Sequence, residues 1–395
     1  MSYGYDTAGR LDTITIARGV TNFDYSPTTG NVETITAPDA GTLDYTYDGT
    51  LPLSTTWAGT INGSVSQTYN TDLRVATQSV NTANTVSFTY DNDGLLTNAG
   101  SATLTRDPQN GLITEDDVVD TTETLGYNDF AEVDTAIFKH EGTEFFNASY
   151  TRDNLGRITD KTETIYGTAT TYAYTYDTAG RLTNVTKNSA NLSTYIYDDI
   201  GVGNSNRTSY TDETTGVTTR GTYDNQDRLT SYGANTYTYN NAGDLETKVT
   251  ASGTNTYTYD ELGNLTAVTL SDGRTIDYII DGQNRRVGKK INGTLTQGFL
   301  YNGNLQIIAE LDASGNIVSR FVYGSKVNVP DYMVQGATIY RIVSDNLGSA
   351  RLVINADTGD LMQQIEYDEF GRVLSDSRPG FQAFGLASST LAFYF

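Results

Sequence analysis

One short pattern recurs along nearly the whole chain, and it constrains the fold more than any other feature. The segment Asp6–Leu11 (Asp-Thr-Ala-Gly-Arg-Leu) returns unchanged as Asp177–Leu182. Looser copies begin at Tyr25, Tyr47, Tyr69, Tyr90, Tyr127, Arg152, Tyr197, Tyr223, Tyr239, Tyr259, Ile280 and Tyr301, with a degenerate copy near Arg106 and a late one at Tyr367. Many of these copies are about 20 residues apart, and such a period predicts one repeat array rather than separate globular domains.

Each copy approximates Tyr-Asp-x-x-Gly-Arg/Asn-Leu/Val, which predicts a tight turn. The Asp carboxylate can accept backbone N–H bonds across a type I turn, and Gly tolerates the positive φ at its exit. Tyr then ends the incoming strand. The clearest structural motif positions are Tyr5, Asp6, Gly9, Tyr176, Asp177, Gly180, Tyr259, Asp260, Gly263, Tyr367, Asp368 and Gly371.

The residues around each turn predict paired β-strands. Tyrosines two residues apart, such as Tyr172 and Tyr174, lie on one strand face, and Thr usually occupies the other face. After the turn, apolar residues three apart, such as Leu182 and Val185, indicate a β-bulge. Because no apolar stripe of helical period is sustained, we predict an all-β fold: an array of β-hairpins.

The number of repeats predicts how the sheet must curve. About fifteen hairpins give about thirty strands, and at ~4.8 Å per strand a sheet ~140 Å wide. Open twisted sheets rarely exceed ~10 strands without curling. We therefore expect a coiled or spiral β-sheet wall, a partial cocoon with a hollow behind it. Stacked tyrosines are expected to supply the cohesion that an apolar core normally supplies.

Composition excludes several functions. Among 395 residues, 25 Lys and Arg face 48 Asp and Glu, giving a net charge of −23, which opposes binding to nucleic acid. The absence of Cys excludes disulfides and thiolate chemistry, and a single His excludes multi-histidine zinc sites. We expect no cofactor, no metal and no membrane span, and the first residues do not resemble a signal peptide.

The repeats resemble the YD repeats of the Rhs family. The copies at Tyr5, Tyr176 and Tyr259 carry the resemblance, and the stretch 340–351 with Tyr367-Asp-Glu-Phe-Gly-Arg372 is similar to the opening of the Rhs-associated core. We accordingly divide the chain into a hairpin array (residues 1–330), the core opening (residues 331–378) and a divergent tail (residues 379–395). The resemblance covers about residues 1–378.

The resemblance implies a function for the parent system. Rhs proteins, the C components of Tc toxins and teneurins build spiral β-sheet shells, and the bacterial shells enclose a toxin released by an aspartyl autoprotease. After Gly385 this chain departs from the family pattern and shows no match to the cleavage motif. No catalytic residue is carried over, and no enzyme activity is expected. The resemblance implies a polymorphic-toxin context, secreted or at the cell surface.

Other candidate sites have simpler explanations. His140 lies in a polar stretch with no nucleophile or orienting partner in sight. Asp91-Asn-Asp-Gly94 matches only half of a calcium loop. The segment Gly201–Asn206 resembles a fragment of a dinucleotide loop without its helix, and it is interpreted as an inserted turn. The glycosylation triplets at Asn62 and Asn147 are expected by chance in a chain this rich in Asn and Thr.

Two functions remain open. The first is a structural shell segment whose partners are a toxin cargo or the remaining shell. The alternative is a cell-surface or carbohydrate-binding adhesive array, in which exposed aromatic faces stack on sugars and many weak contacts add by avidity. Inward tyrosine ladders favour the shell and exposed ladders favour the adhesive array. Open sheet edges also predict self-association.

Overall fold

The array is built entirely from β-strands. A computed structural model describes residues 1–39, 41–198 and 204–381, and these residues contain 36 strands and no helix, which confirms the all-β prediction. The strands of the first third are β1 (Ser2–Tyr5), β2 (Leu11–Ile16), β3 (Gly19–Tyr25), β4 (Val32–Thr36), β5 (Thr42–Asp48), β6 (Leu51–Ala58), β7 (Gly63–Tyr69), β8 (Val75–Val80), β9 (Ala83–Tyr90), β10 (Leu96–Ala99), β11 (Ala102–Arg106), β12 (Ile113–Val118) and β13 (Thr121–Tyr127).

The remaining strands continue the same hairpin pattern. The middle third contains β14 (Val133–His140), β15 (Thr143–Arg152), β16 (Ile158–Ile165), β17 (Thr168–Tyr176), β18 (Leu182–Lys187), β19 (Ala190–Tyr197), β20 (Arg207–Asp212), β21 (Val217–Tyr223), β22 (Leu229–Tyr232), β23 (Asn235–Tyr239), β24 (Leu245–Thr250), β25 (Gly253–Tyr259) and β26 (Leu265–Thr269). The last third contains β27 (Thr275–Ile280), β28 (Arg286–Ile291), β29 (Thr294–Asn302), β30 (Gln306–Leu311), β31 (Ile317–Val322), β32 (Tyr332–Gln335), β33 (Thr338–Ser344), β34 (Ala350–Asn355), β35 (Leu361–Tyr367) and β36 (Val373–Asp376).

The chain forms two compact units. Unit 1 combines Met1–Glu123, Tyr259–Thr266 and the described part of Ile276–Phe395, and unit 2 combines Thr124–Thr258 with Ala267–Thr275. Within the units, strands pair antiparallel with their neighbours in sequence, as in the ladders β1–β2, β17–β18 and β33–β34. The ladders therefore follow the order of the repeats.

A one-residue register shift sits beside the motif turns and confirms the predicted bulge. In the β17–β18 ladder Tyr174 opposes Val185, but Tyr176 opposes Leu182, because the register shifts between Thr175 and Tyr176. The extra residue on β18 places Leu182 and Val185, three positions apart, opposite two tyrosines of one face. The same shift occurs before Tyr5, Tyr25, Tyr69 and Tyr367.

Unit 1 has an apolar core between its early and late strands. Leu43 and Trp57 from the early strands, with Ile61 from the connection between β6 and β7, pack with Leu300 and Phe321 from the late strands. The expectation that tyrosine stacks replace an apolar core is wrong for this unit, because the late strands place Leu, Ile, Phe and Met at their inward positions. Burying each large apolar side chain contributes about 1.5–3 kcal/mol.

Unit 2 depends more on aromatic side chains. Tyr195 on β19 is buried and stacks on Tyr210 of β20 with ring centroids 5.5 Å apart. Phe138 and Phe146 meet edge to face at 5.7 Å. The Lys161 ammonium lies 4.5 Å from the centroid of the Tyr172 ring. Here aromatic pairs supply cohesion as the sequence predicts.

Candidate functional site: the repeated Tyr-Asp-Gly-Arg turn

The repeated turn is the structural site that the sequence predicts, and the copy at Asp177 shows its geometry. Asp177 Oδ1 accepts the backbone N–H groups of Ala179 and Arg181, both at 2.9 Å. The Gly180 N–H donates to the Asp177 carbonyl at 3.0 Å, and Gly180 has a φ of 82°. One carboxylate therefore satisfies the inner face of the turn, and Gly provides the left-handed exit, which matches the sequence prediction.

The arginine of the motif neutralises the same carboxylate. Arg181 Nε donates to Asp177 Oδ2 at 2.7 Å, while Oδ1 is used by the backbone. Hydrogen bonds from the Arg181 backbone and side chain hold the pKa of Asp177 below its usual range, with burial opposing them. The same arrangement lowers the pKa of Asp6, Asp153 and Asp224. Part of the excess of aspartate in the chain is therefore explained by its role in stabilising the turns.

In several copies the arginine also connects its turn to the next repeat. The Arg157 guanidinium lies 4.7 Å from the centroid of the Tyr176 ring, and the Tyr176 hydroxyl donates to the Ile158 carbonyl at 2.8 Å. Tyr176 belongs to the following copy of the motif. Its ring contacts the arginine of the preceding turn, and its hydroxyl bonds to the backbone just after that turn. The tyrosines with both contacts are Tyr25, Tyr90, Tyr176, Tyr239 and Tyr301. Sequence spacing did not reveal this Arg–Tyr contact.

The other predicted motif copies use the turn in different settings. Gly9, Gly263 and Gly371 have φ values of 79°, 82° and 81°. Asp260 is buried, and its carboxylate accepts Asn264 Nδ2 at 2.9 Å. It also accepts Arg18 Nη2 at 3.2 Å, so this turn contacts an arginine that is 242 positions earlier in the chain.

The first and last predicted tyrosines differ from the internal ones. Tyr5 precedes Asp6 as expected, but its side chain is 65% exposed. Tyr367, before Asp368, is partly buried, and burial raises its pKa to about 12. The Tyr367 hydroxyl is buried with no hydrogen-bond partner in the part of the chain that the structure describes.

Tyrosine and threonine side chains, which alternate along the strands, lie in different environments. Tyr174 and Tyr237 are half-buried, whereas Thr175 and Thr238, the neighbours that follow them, are exposed. Burial raises the pKa of Tyr237 and of Tyr257. The threonine face is therefore the solvent face, and the tyrosine face is the more covered one.

A buried charge cluster in unit 1 was missed by the sequence analysis. Arg341 Nη2 donates to Asp116 Oδ2 at 2.8 Å and to Glu123 Oε2 at 2.7 Å. All three residues are buried, and Arg341 is more than 200 positions away from both acids. The only available signal was an arginine inside the otherwise apolar stretch Tyr340–Val343, because a charged residue in an apolar strand generally needs a buried partner.

Two of the remaining candidates, Asp91 and His140, lie in a turn and at the end of a strand. Asp91 Oδ1 accepts the N–H groups of Asp93 and Leu95, so it caps its turn. His140 ends β14 and is half-buried. Among the described residues no group of three His, Cys, Asp or Glu side chains could hold a metal ion. Residues 201–203 of the loop candidate, and the tail from residue 382 onward, lie outside the described residues. No helix in the described ranges is long and apolar enough to cross a membrane.

Comparison with known proteins identifies similar shells. The family model described as Teneurin YD-shell matches residues 1–391. Mouse Teneurin-4 and zebrafish (Danio rerio) Teneurin-3 are each 26% identical over 241 residues, covering 58% of this chain and 8% of the relative. The chain thus spans less than a tenth of these relatives.

Solved structures show the same fold at low sequence identity. The Photorhabdus luminescens Tc holotoxin pore superimposes with a TM-score of 0.64 at 14% identity, covering 94% of this chain and 22% of that one. The crystal structure of TcdB2-TccC3-TEV gives a TM-score of 0.52 at 13% identity, covering 94% and 25%.

Proposed function

Because the chain belongs to the Teneurin YD-shell family, we propose that it is a wall segment of a shell that encloses a toxin cargo in its parent protein. The contacts that the motif side chains make within the sheet are the observation that supports this proposal. Tyr176, Arg157 and Asp153 are engaged with one another or with backbone groups of neighbouring strands. Residues used in this way build a wall and are not available to an external ligand.

The charge pattern also supports a wall. Each motif carboxylate with an arginine four residues later is paired locally, as in Asp6–Arg10 and Asp224–Arg228. Threonines on the exposed face form cross-strand hydroxyl pairs, such as Thr68 with Thr77 at 2.7 Å. A polar outer face of this kind is compatible with solvent, while the aromatic face is covered.

Protection of the cargo is the direct test. We expect a toxin segment in the full gene product to resist added protease while the shell is folded. The double variant Gly180→Val/Gly263→Val should strain two turns and expose that segment, whereas the matched variant with Ala179→Val and Leu262→Val should not. Equal digestion of the toxin segment in the folded wild type and in the glycine variant would contradict the proposal.

The adhesive alternative requires freely exposed aromatic rings. Tyr25 and Tyr176 instead have an arginine over one face and a hydrogen-bonded hydroxyl. We therefore prefer the shell. Binding of the isolated chain to a glycan array, weakened by Tyr3→Ala and Tyr5→Ala at its exposed tyrosines, would favour the alternative.

We further propose that the chain is not an enzyme and that its parent acts as a secreted or cell-surface protein. The turn aspartates are engaged in capping, which leaves them unsuited to acid–base chemistry. Mass spectrometry after long incubation at acidic and neutral pH is expected to return the intact chain. A discrete fragment that forms without added protease would contradict this.

We also propose that the chain self-associates through strand β1. This strand pairs with β2 on one side, and no described strand pairs with its other edge. Tyr3 and Tyr5 on it are 50% and 65% exposed. Unpaired edges offer N–H and C=O groups to a neighbour, and physiological salt screens the repulsion of the −23 charge beyond ~8 Å.

Light scattering between low and physiological salt tests this association. We expect larger assemblies as salt rises, and we expect Tyr3→Lys to abolish them by placing a charge on the edge. Phe130→Lys is the control, because Phe130 is an exposed aromatic in a turn of unit 2. A monomer at both salt concentrations would show that β1 is not an association edge.

A further inference from the structure

Three carboxylates and one guanidinium are buried together where β12 and β13 meet the late strands of unit 1. Asp116 lies on β12, Glu123 on β13 and Arg341 on β33, and Asp331 immediately precedes β32. None of the four residues is more than 4% exposed. This acid cluster joins strands that are more than 200 residues apart in the chain.

The formal charges of the acid cluster do not balance. One positive and three negative groups give a net charge of 1 − 3 = −2 if all are ionised. Arg341 Nη2 donates to Asp116 and Glu123, but no hydrogen bond joins it to Asp331 in the described structure. A buried charge without a counter-charge is strongly unfavourable. Binding of a positively charged species, such as a proton, would therefore stabilise the cluster.

The hydrogen bonds leave room for one proton. Asp331 Oδ2 accepts the N–H groups of Gly324 and Ser325 at 2.5 and 2.9 Å, and Oδ1 accepts the Ser325 hydroxyl. Asp116 Oδ2 accepts Arg341, whereas Asp116 Oδ1 is buried and has no hydrogen-bond partner among the described residues. A proton on Asp331 would reduce the excess negative charge of the cluster without breaking these bonds.

Other charged and titratable groups near the cluster make hydrogen bonds to residues outside it. Lys326 donates to Ser344 Oγ at 2.6 Å, and Arg320 donates to the Asn84 carbonyl at 3.0 Å. The Tyr332 hydroxyl donates to the Ala99 carbonyl at 3.2 Å and accepts the Ser101 N–H. Burial, and then the charge of Asp116, raise the pKa of Asp331 well above its usual range, against the opposing effect of Arg341.

We propose that Asp331 holds a proton at neutral pH, and that its loss in mildly alkaline solution weakens the joint between β12–β13 and β31–β33. In the unfolded chain the Asp331 carboxyl is solvated and ionises at pH ~4. At Asp331 the folded protein therefore binds more protons than the unfolded chain between about pH 4 and neutrality.

The sign of the pH dependence follows from this difference. Stability from the Asp331 proton is fully present below the unfolded pKa and is lost as the pH rises through the raised folded pKa. Unit 1 is thus expected to be held more firmly in mild acid than in mild alkali. This inference does not depend on cargo enclosure, because it concerns only the joint within unit 1.

Urea unfolding followed from about pH 5 to about pH 9 tests the proposal. The background variant carries His140→Gln, which removes the one histidine, and Glu310→Gln, which removes another buried carboxyl with a raised pKa. In this background the unfolding equilibrium constant should rise with pH by up to about tenfold per unit before levelling off. Asp331→Asn, which mimics the protonated carboxyl, should flatten that dependence.

Two further measurements make the outcome decisive. Asp72→Asn, on an exposed turn, is the matched control and should keep the slope of the background protein. Infrared spectra of the background protein should show one protonated carboxyl at neutral pH that disappears in alkali, and this readout does not require Asp331→Asn to fold. An unchanged slope in Asp331→Asn, or no protonated carboxyl signal at neutral pH, would overturn the proposal.

Discussion

Single residues in the turn have separable roles, and Gly180 shows this most directly. Its φ of 82° lies in the left-handed region, where a β-branched side chain is strained. A Cβ at this position would meet Arg157 Nη1 at 3.5 Å, which is an ordinary contact. The backbone conformation, rather than crowding, therefore requires glycine here.

We predict that Gly180→Val destabilises the protein by about 1–3 kcal/mol through backbone strain. Ala179→Val, at the adjacent exposed turn position, should cost clearly less. Urea unfolding of both variants provides the measurement. Equal midpoints for the two would contradict the turn assignment.

Tyrosine hydroxyls at the repeats are predicted to stabilise the array where they are bonded. Tyr176→Phe removes the hydrogen bond to the Ile158 carbonyl and should cost about 1 kcal/mol. Tyr5→Phe is the matched control, since the Tyr5 hydroxyl is exposed and makes no hydrogen bond in the described structure. Thermal unfolding of both variants should therefore show a loss for Tyr176→Phe alone.

At the scale of strands, close approach of the early and late strands of unit 1 depends on small residues. Gly298 on β29 lies where an added Cβ would be 2.9 Å from Ile61 Cδ1. Gly288 on β28 faces the same atom, at 3.0 Å. Ile61 itself is buried in the apolar core. The two glycines therefore make room for one isoleucine.

We predict that Gly298→Ala costs about 1–3 kcal/mol through overpacking. Ile61→Val deletes the Cδ1 atom that the new methyl group would meet, so the double variant should lose less than the sum of the two single variants. A double-mutant cycle by urea unfolding measures this coupling. Strict additivity of the two effects would show that Ile61 does not contact β29 at Gly298.

Across the whole molecule, the turn aspartates give stability an acid dependence opposite to that of the acid cluster. The pKa values of Asp6, Asp153, Asp177 and Asp224 are lowered in the folded chain by backbone and arginine hydrogen bonds. Such groups contribute stability above their unfolded pKa, and this is lost as the pH falls through the folded pKa. Summed over many repeats, the effect makes the array acid-labile.

We therefore predict that the melting temperature falls steeply from about pH 4 to about pH 2. Asparagine fills the aspartate position in natural copies, where Asn128 Oδ1 accepts the N–H groups of Phe130 and Glu132. Replacing Asp153, Asp177 and Asp224 together with Asn should keep the turns and make the acid loss shallower. An unchanged acid slope in the triple variant would contradict this role.

The sequence by itself determined the local architecture of this protein. Turns, bulges and strand faces were predictable because their contacts span few residues: Asp177 reaches only to Arg181, and alternation places Tyr174 and Tyr176 on one face. Such local interactions recur in many of the repeats, so one motif predicts the structure of many hairpins. The resemblance of the motif to YD repeats then led to the shell family, which the family match confirms.

The tertiary structure alone decided which distant strands meet. Arg341 finds Asp116 across 225 positions, and Trp57 Nε1 donates to Asp281 across 224 positions at 3.3 Å. No local pattern encodes such pairs, because they depend on twist and register accumulated over many hairpins. The buried acid cluster and the apolar core of unit 1 arise from those long-range contacts. The spacing of the repeats could therefore predict the hairpins, but not which side chains of distant hairpins pack together.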